Sequence, residues 1–135
     1  MLPSIASEFG IAKLPEIMFG KEGKAWAKIR CVAKDRVRDA MGQWADGEPL
    51  FIDVIVNSGA EHLVDSVTVG DSIIAIGKLV QRDYEKDGVK HSILQFRAES
   101  VGVSVKWGPA KTQRVLEASG ISAVKEALNA TEAPF

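Results

Sequence analysis

Residues 50–67 read Leu-Phe-Ile-Asp-Val-Ile-Val-Asn-Ser-Gly-Ala-Glu-His-Leu-Val-Asp-Ser-Val. The first seven are rich in β-branched residues and read as a strand. After Ser58-Gly59 the period changes. Ala60, Leu63, Val64 and Val67 recur at the spacing of one helical face. A strong strand followed at once by a short helix is the feature from which the rest of the chain is read outward.

Downstream, Gly70-Asp71 starts a turn. Two long strands are predicted over roughly residues 72–84 and 90–103, joined around Asp87-Gly88, a hairpin signal. Upstream, residues 24–34 alternate. Ala25, Ala27, Ile29, Cys31 and Ala33 are small or apolar and suit a core, while Trp26, Lys28, Arg30 and Lys34 face outward, with Val32 the exception. Residues 35–48 are polar, contain Gly42 and Asp46-Gly47, and are read as a long loop. Glu8 to Met18 is read as the first strand, bent or bulged near Gly10 and Pro15. The order is then three strands, a short helix and two strands, that of the five-stranded OB barrel. An SH3-like barrel would be shorter and would lack the helix. The expected fold class is therefore all-β: a five-stranded OB-fold barrel with a short helix between strands 3 and 4, in one domain over residues 1–110. Residues 111–135 form a C-terminal extension. Within it, Thr112 to Ala130 has high helix propensity, broken by Ser119-Gly120, and the chain ends in Pro134-Phe135.

The composition excludes several classes of function. The chain has 135 residues, 46% hydrophobic and 26% charged, as expected of one globular domain. A single cysteine, Cys31, rules out an intramolecular disulfide and a cysteine-based metal cluster, and its apolar setting marks it as a small core residue. No apolar stretch approaches the ~20 residues that span a bilayer. The start, Met1-Leu2-Pro3-Ser4, lacks the basic and apolar regions of a signal peptide, so a cytoplasmic protein without membrane contact is expected. His62 and His91 have no metal-ligand spacing, and there is no G-x-S-x-G, P-loop or Rossmann fingerprint. Gly20-Lys21-Glu22-Gly23-Lys24 lacks the phosphate-loop spacing and reads as a hairpin turn. No enzyme, cofactor or metal is expected.

Net charge is −1, but the charges are unevenly distributed. Residues 24–38 hold six basic residues and one acid, residues 39–71 hold seven acids and no Lys or Arg, and residues 72–114 hold eight basic residues against four acids. A fold that gathers the two basic stretches on one face creates a local positive potential, which governs binding of a polyanion more than net charge does.

Five stretches resemble bacterial and phage single-stranded DNA-binding proteins, in the family's order and over roughly residues 8 to 111. Gly23-Lys24-Ala25-Trp26-Ala27-Lys28-Ile29-Arg30 is similar to the family's "G-K-A-V-A-x-F-R". Gly47-Glu48-Pro49-Leu50-Phe51-Ile52-Asp53-Val54 resembles the third strand of actinobacterial members. Val69 to Leu79 resembles "K-G-D-x-V-x-V-x-G-x-L", and Gln81 to Gly88 resembles "x-R-x-W-x-D-x-x-G". Val105-Lys106-Trp107-Gly108-Pro109-Ala110-Lys111 is similar to the "L-R-W-A-T-A-K" that follows the barrel in actinobacterial members. The aromatic-Gly pair that often follows the family's third strand is replaced here by Val56-Asn57-Ser58-Gly59.

The resemblance implies a non-enzymatic homotetramer that binds single-stranded DNA without strong sequence preference during replication, recombination or repair. It further implies that a terminal Pro-Phe, here Pro134 and Phe135, docks on replication and repair enzymes. A sequence-tolerant binder needs cations along a groove and flat rings on which bases stack. Trp26 is the first candidate platform, sharing its outward face with Lys28 and Arg30. Phe51 and Tyr84 lie where the family has its stacking aromatics. Lys34, Arg36 and Arg38 are candidates to hold phosphates from the following segment, as are Lys78, Arg82, Lys86 and Lys90 from the later hairpin. Phe51 is equally readable as core, Trp44 as stacking residue or loop anchor, and Trp107 as packing or interface. The first strand and Val101-Gly102-Val103-Ser104-Val105 are the expected places for a subunit interface. The rival reading is an OB-fold RNA-binding module or a protein-only adaptor of a replication assembly.

Overall fold

The computed structural model describes residues 1–111, and their fold is all-β with one short helix. In chain order the elements are β1 (Ser4–Ile11), β2 (Glu16–Phe19), β3 (Ala25–Ala33), β4 (Arg36–Arg38), β5 (Trp44–Asp46), β6 (Leu50–Val56), α1 (Ala60–Ser66), β7 (Ser72–Lys86) and β8 (Val89–Val103). The helix expected over Thr112–Ala130 and the terminal Pro134-Phe135 lie outside the described residues.

Alternation decides which side of each strand is buried. Ala27, Ile29 and Cys31 of β3 point inward, as do Ile52, Val54 and Val56 of β6. Phe9 and Ile11 of β1, Ile73 and Ala75 of β7, and Phe96 and Ala98 of β8 complete the core. Phe9 meets Phe96 edge to face, with ring centroids 5.2 Å apart, a geometry that contributes about 0.5–1.5 kcal/mol beyond burial. The helix lays Ala60 and Leu63 on this core, followed by Val67, as its period predicts.

The sheet runs β1-β7-β8-β6-β3-β2, and β1 also pairs with β3 through Gly10↔Val32 and Ile11↔Cys31. The pairings from β1 through β7, β8, β6 and β3 therefore return to β1. All are antiparallel except β6–β8, which is parallel. At Asp87-Gly88 both residues have positive φ, 55° and 77°, as a two-residue hairpin turn of the right hand for twisted strands requires. Beyond the core this hairpin continues as an arm, with residues 81–92 all exposed. A bulge between Ile76 and Gly77 shifts the register of β7 on β8. Only glycine fits there: a Cβ on Gly77 would lie 2.1 Å from the Arg97 carbonyl oxygen.

Two expectations are corrected. The first strand is not one bent element from Glu8 to Met18. It is two strands separated at residues 12–15, the first beginning at Ser4 and pairing β7, the second pairing β3. Pro15 supplies no N–H for a ladder, and Ala12 and Lys13 instead donate to the Arg30 carbonyl. Residues 35–48 are not a loop but the β4–β5 hairpin, in which Arg36 pairs with Asp46 and Arg38 with Trp44. Its turn is made by the Asp39 carboxylate, which accepts from the Met41 and Gln43 N–H groups at 2.9 Å each. Strands of three residues each leave too little periodicity for sequence to show.

Candidate nucleic-acid interface

The outward faces of β3, β6, β8 and β7 adjoin, and strand register sets their residues in rows. One row runs Lys28–Ile55–Arg97–Lys78, placing three cations across four strands. The next runs Arg30–Asp53–Gln95–Val80. Trp26 and Arg82, far apart in sequence, line one recess of about 460 Å³ together with Arg97 and Gln95. Lys28 and Arg30 line a second, of about 270 Å³, which also holds the acids Glu16 and Asp53.

The predicted aromatics fall on this surface or beside it. Trp26 is half-buried, less outward than alternation alone indicates, because its ring lies along the recess. Phe51 belongs to the surface, not the core. It is 50% exposed, and the Arg30 guanidinium sits 5.7 Å from its ring centroid. Tyr84, 43% exposed, stacks on His91 across the arm with centroids 5.2 Å apart. At the far side, Trp44 stands 57% exposed on the β4–β5 hairpin, with Arg38 over its ring at 4.9 Å.

The cations divide into groups. Arg30 pairs with Asp53 at 3.3 Å. Lys34 and Arg36 share Asp46, at 3.0 and 2.9 Å. Hydrogen bonds from Lys34 and then Arg36 hold the Asp46 carboxyl below the usual carboxylate range. Along the arm, Arg82, Tyr84 and Lys86 share a face with their partners Ile93, His91 and Val89. Lys90 does not join them: it pairs with Glu85, on the opposite face, where Gln81, Asp83 and Ser92 form a hydrogen-bonded cluster.

Sequence reading missed Arg97, His91 and Gln95, and left Trp44 undecided. The Asp87-Gly88 turn held the signal for three of them. A two-residue hairpin loop fixes the pairs Tyr84↔His91, Val80↔Gln95 and Lys78↔Arg97. Trp44 needed the unseen hairpin. Cys31 is an inert core residue, because burial, aided by the charge of Asp53 and opposed by Arg30, pushes its thiol up to about 12. Among the described residues, no group of three or more His, Cys, Asp or Glu could hold a metal, and no helix is long and apolar enough to cross a membrane.

Away from this face, Ile74 and Ile76 of β7 are exposed beside β1, where Ala6 pairs with Ile76. Trp107 is exposed beyond β8, with Lys106 over its ring at 5.2 Å.

Comparison with known proteins matches residues 10–104 to the "Single-strand binding protein family". A "Single-stranded DNA-binding protein" of Corynebacterium glutamicum is 37% identical over 103 residues, covering 74% of this chain and 46% of that one. The chain spans between 46% and 66% of the length of the curated relatives it matches. Among solved structures, a small single-stranded DNA-binding protein from Streptomyces coelicolor superposes with a TM-score of 0.68 at 21% identity, covering 80% of this chain and 99% of that one. A Plasmodium falciparum SSB in complex with ssDNA gives 0.66 at 14% identity, covering 77% and 96%.

Proposed function

Because the chain belongs to the single-strand binding protein family, we propose that it binds single-stranded DNA without strong sequence preference. It protects the strand during replication, recombination or repair and catalyses no reaction. The observation that carries this reading is one face where cations and aromatic rings interleave across four strands. Neither element suffices alone. Stacking contributes about 1–3 kcal/mol per base whatever the base, and the cations add a salt-sensitive phosphate term.

The path runs from Trp44 and Arg38 past Phe51 and Arg30, along Lys28, Arg97 and Lys78, then over Trp26 and Arg82 to Tyr84 and Lys86. Lys34 and Arg36 contribute from the hairpin side, and Lys90 is a phosphate contact only for a strand that wraps behind the arm. The fold is read as the five-stranded OB barrel, a reading that the ring of pairings supports, in a DNA-binding domain of residues 1–110 with residues 111–135 as its extension. The protein acts in the cytoplasm as a homotetramer, burying the exposed Ile74 and Ile76 strip and the open edge of β1 against other copies. Pro134 and Phe135 dock on replication or repair proteins.

The test is a tryptophan-fluorescence titration with oligo-dT, duplex DNA and oligo-U of equal length at two salt concentrations. Oligo-dT is expected to bind tightly and duplex weakly, with affinity falling as salt rises. Trp26→Ala and Tyr84→Ala should each weaken oligo-dT binding by roughly tenfold or more. DNA binding that survives both substitutions would favour the protein-only adaptor, and preference for oligo-U would favour an RNA module.

A further inference from the structure

The recess holding Trp26 and Arg82 differs from the rest of the surface in one residue. Gln95 is the one buried polar side chain among the described residues, 8% exposed. It makes no side-chain hydrogen bond among them. A primary amide offers two donors and an acceptor oxygen, and leaving them unmet in a protein interior is costly. Yet no polar atom is both fully enclosed and unpaired among the described residues. The amide therefore opens onto the recess it lines. Asp53, beside Gln95 in register, is engaged by Arg30. Val80, its neighbour on β7, shows that an apolar side chain suits the same row.

The surroundings match a nucleotide. Trp26 offers a flat ring, Arg82 and Arg97 offer guanidinium groups for a phosphate, and about 460 Å³ lies within the range of small-ligand sites. A side-chain amide places a donor beside an acceptor. On the purine N7 edge and its pyrimidine counterpart, adenine alone sets its N6 amino donor beside an acceptor, N7. Guanine shows two acceptors there, cytosine a donor, and thymine an acceptor beside a methyl group. The pairing edges, also open in a single strand, set a donor beside an acceptor on every base, so an amide discriminates only at the N7 edge.

We infer that this recess takes one base from the passing strand and hydrogen-bonds its N7 edge, or the pyrimidine counterpart, through Gln95, favouring adenine. This rests on the single-stranded DNA-binding reading and adds to it one position of preference. Stacking and phosphate contacts elsewhere on the path remain indifferent to base.

Gln95→Met keeps the side chain's length while removing its donors and acceptor. Oligo-dA and oligo-dT of equal length are titrated against wild type and variant. The ratio of dA to dT affinity should fall by roughly tenfold in the variant, the loss of two neutral hydrogen bonds. A second probe, oligo-dA built from 7-deazaadenine, lacks N7. It should bind wild type more weakly than ordinary oligo-dA, and the difference should vanish in Gln95→Met. An unchanged dA-to-dT ratio, or indifference of the wild type to the missing N7, would overturn the inference while leaving general DNA binding intact. Failure of the wild type to bind either homopolymer would overturn the binding reading and this inference with it.

Discussion

Asp46→Asn tests whether the β4–β5 hairpin lies on the proposed DNA path. Lys34 and Arg36 approach the same carboxylate at 3.0 and 2.9 Å, so two cations share one neutralising charge. The triplet carries a net +1, and the amide raises it to +2. Because both partners hold the Asp46 carboxyl below its ordinary range, it is fully ionised at neutral pH and the substitution changes the charge by one whole unit. All three side chains are exposed, and exposed pairs add little to stability. The melting temperature should barely move. DNA affinity should respond differently. One additional phosphate neutralised steepens the dependence of log affinity on log salt by about 0.7 for a single strand. Over a fourfold rise from about 50 to 200 mM salt, that slope amounts to an extra loss of roughly 2.5-fold. The variant should therefore bind oligo-dT more tightly than wild type at low salt, with an advantage that shrinks by this factor at high salt. Fluorescence titration at four salt concentrations reads both quantities. An unchanged slope, or weaker binding by a variant of normal melting temperature, would refute the placement of Lys34 and Arg36 on the path. A depressed carboxyl pKa contributes its pairing energy above the unfolded value and loses it as pH falls through the folded one. Near neutrality, Asp46 should thus add no pH dependence.

Two further predictions concern the core. Gly77→Ala would put a Cβ 2.1 Å from the Arg97 carbonyl oxygen and 2.8 Å from the Ala98 Cα, so backbone must move. A loss of about 3 kcal/mol or more should lower the melting temperature by roughly 10 °C in circular dichroism at fixed protein concentration; a shift of a degree or two would contradict the close approach. The Cys31 thiol, raised from 9.0 to about 12 chiefly by burial, should react with a thiol reagent at pH 8 at least about a hundredfold more slowly than in unfolded protein. A raised pKa contributes stability that is complete below the unfolded value and lost as pH rises through the folded one. Alkaline destabilisation between pH 9.0 and about 12 should therefore be smaller in Cys31→Val, and rapid labelling of the native protein would show that the residue is not enclosed.

What the sequence by itself determined was local. The two-residue period of β3 assigned Ala27, Ile29 and Cys31 to the core, because successive strand residues must point to opposite faces. The shift to helical spacing at Ala60 placed α1. Asp87-Gly88 specified a hairpin, since positive φ at both positions suits those residues. The tertiary structure decided what lies beside what. Lys28 shares a row with Arg97 and Lys78 only because β6 pairs with β3 on one edge and with β8 on the other. No turn chemistry encodes the parallel β6–β8 register, which joins segments separated by the helix and the whole length of β7. The same distance hid the recess: Trp26 and Arg82 line it together with a buried Gln95 whose amide is open on one side. Side-chain period depends on the residue and its immediate neighbours, whereas register between distant strands depends on how the pairings return from β3 to β1.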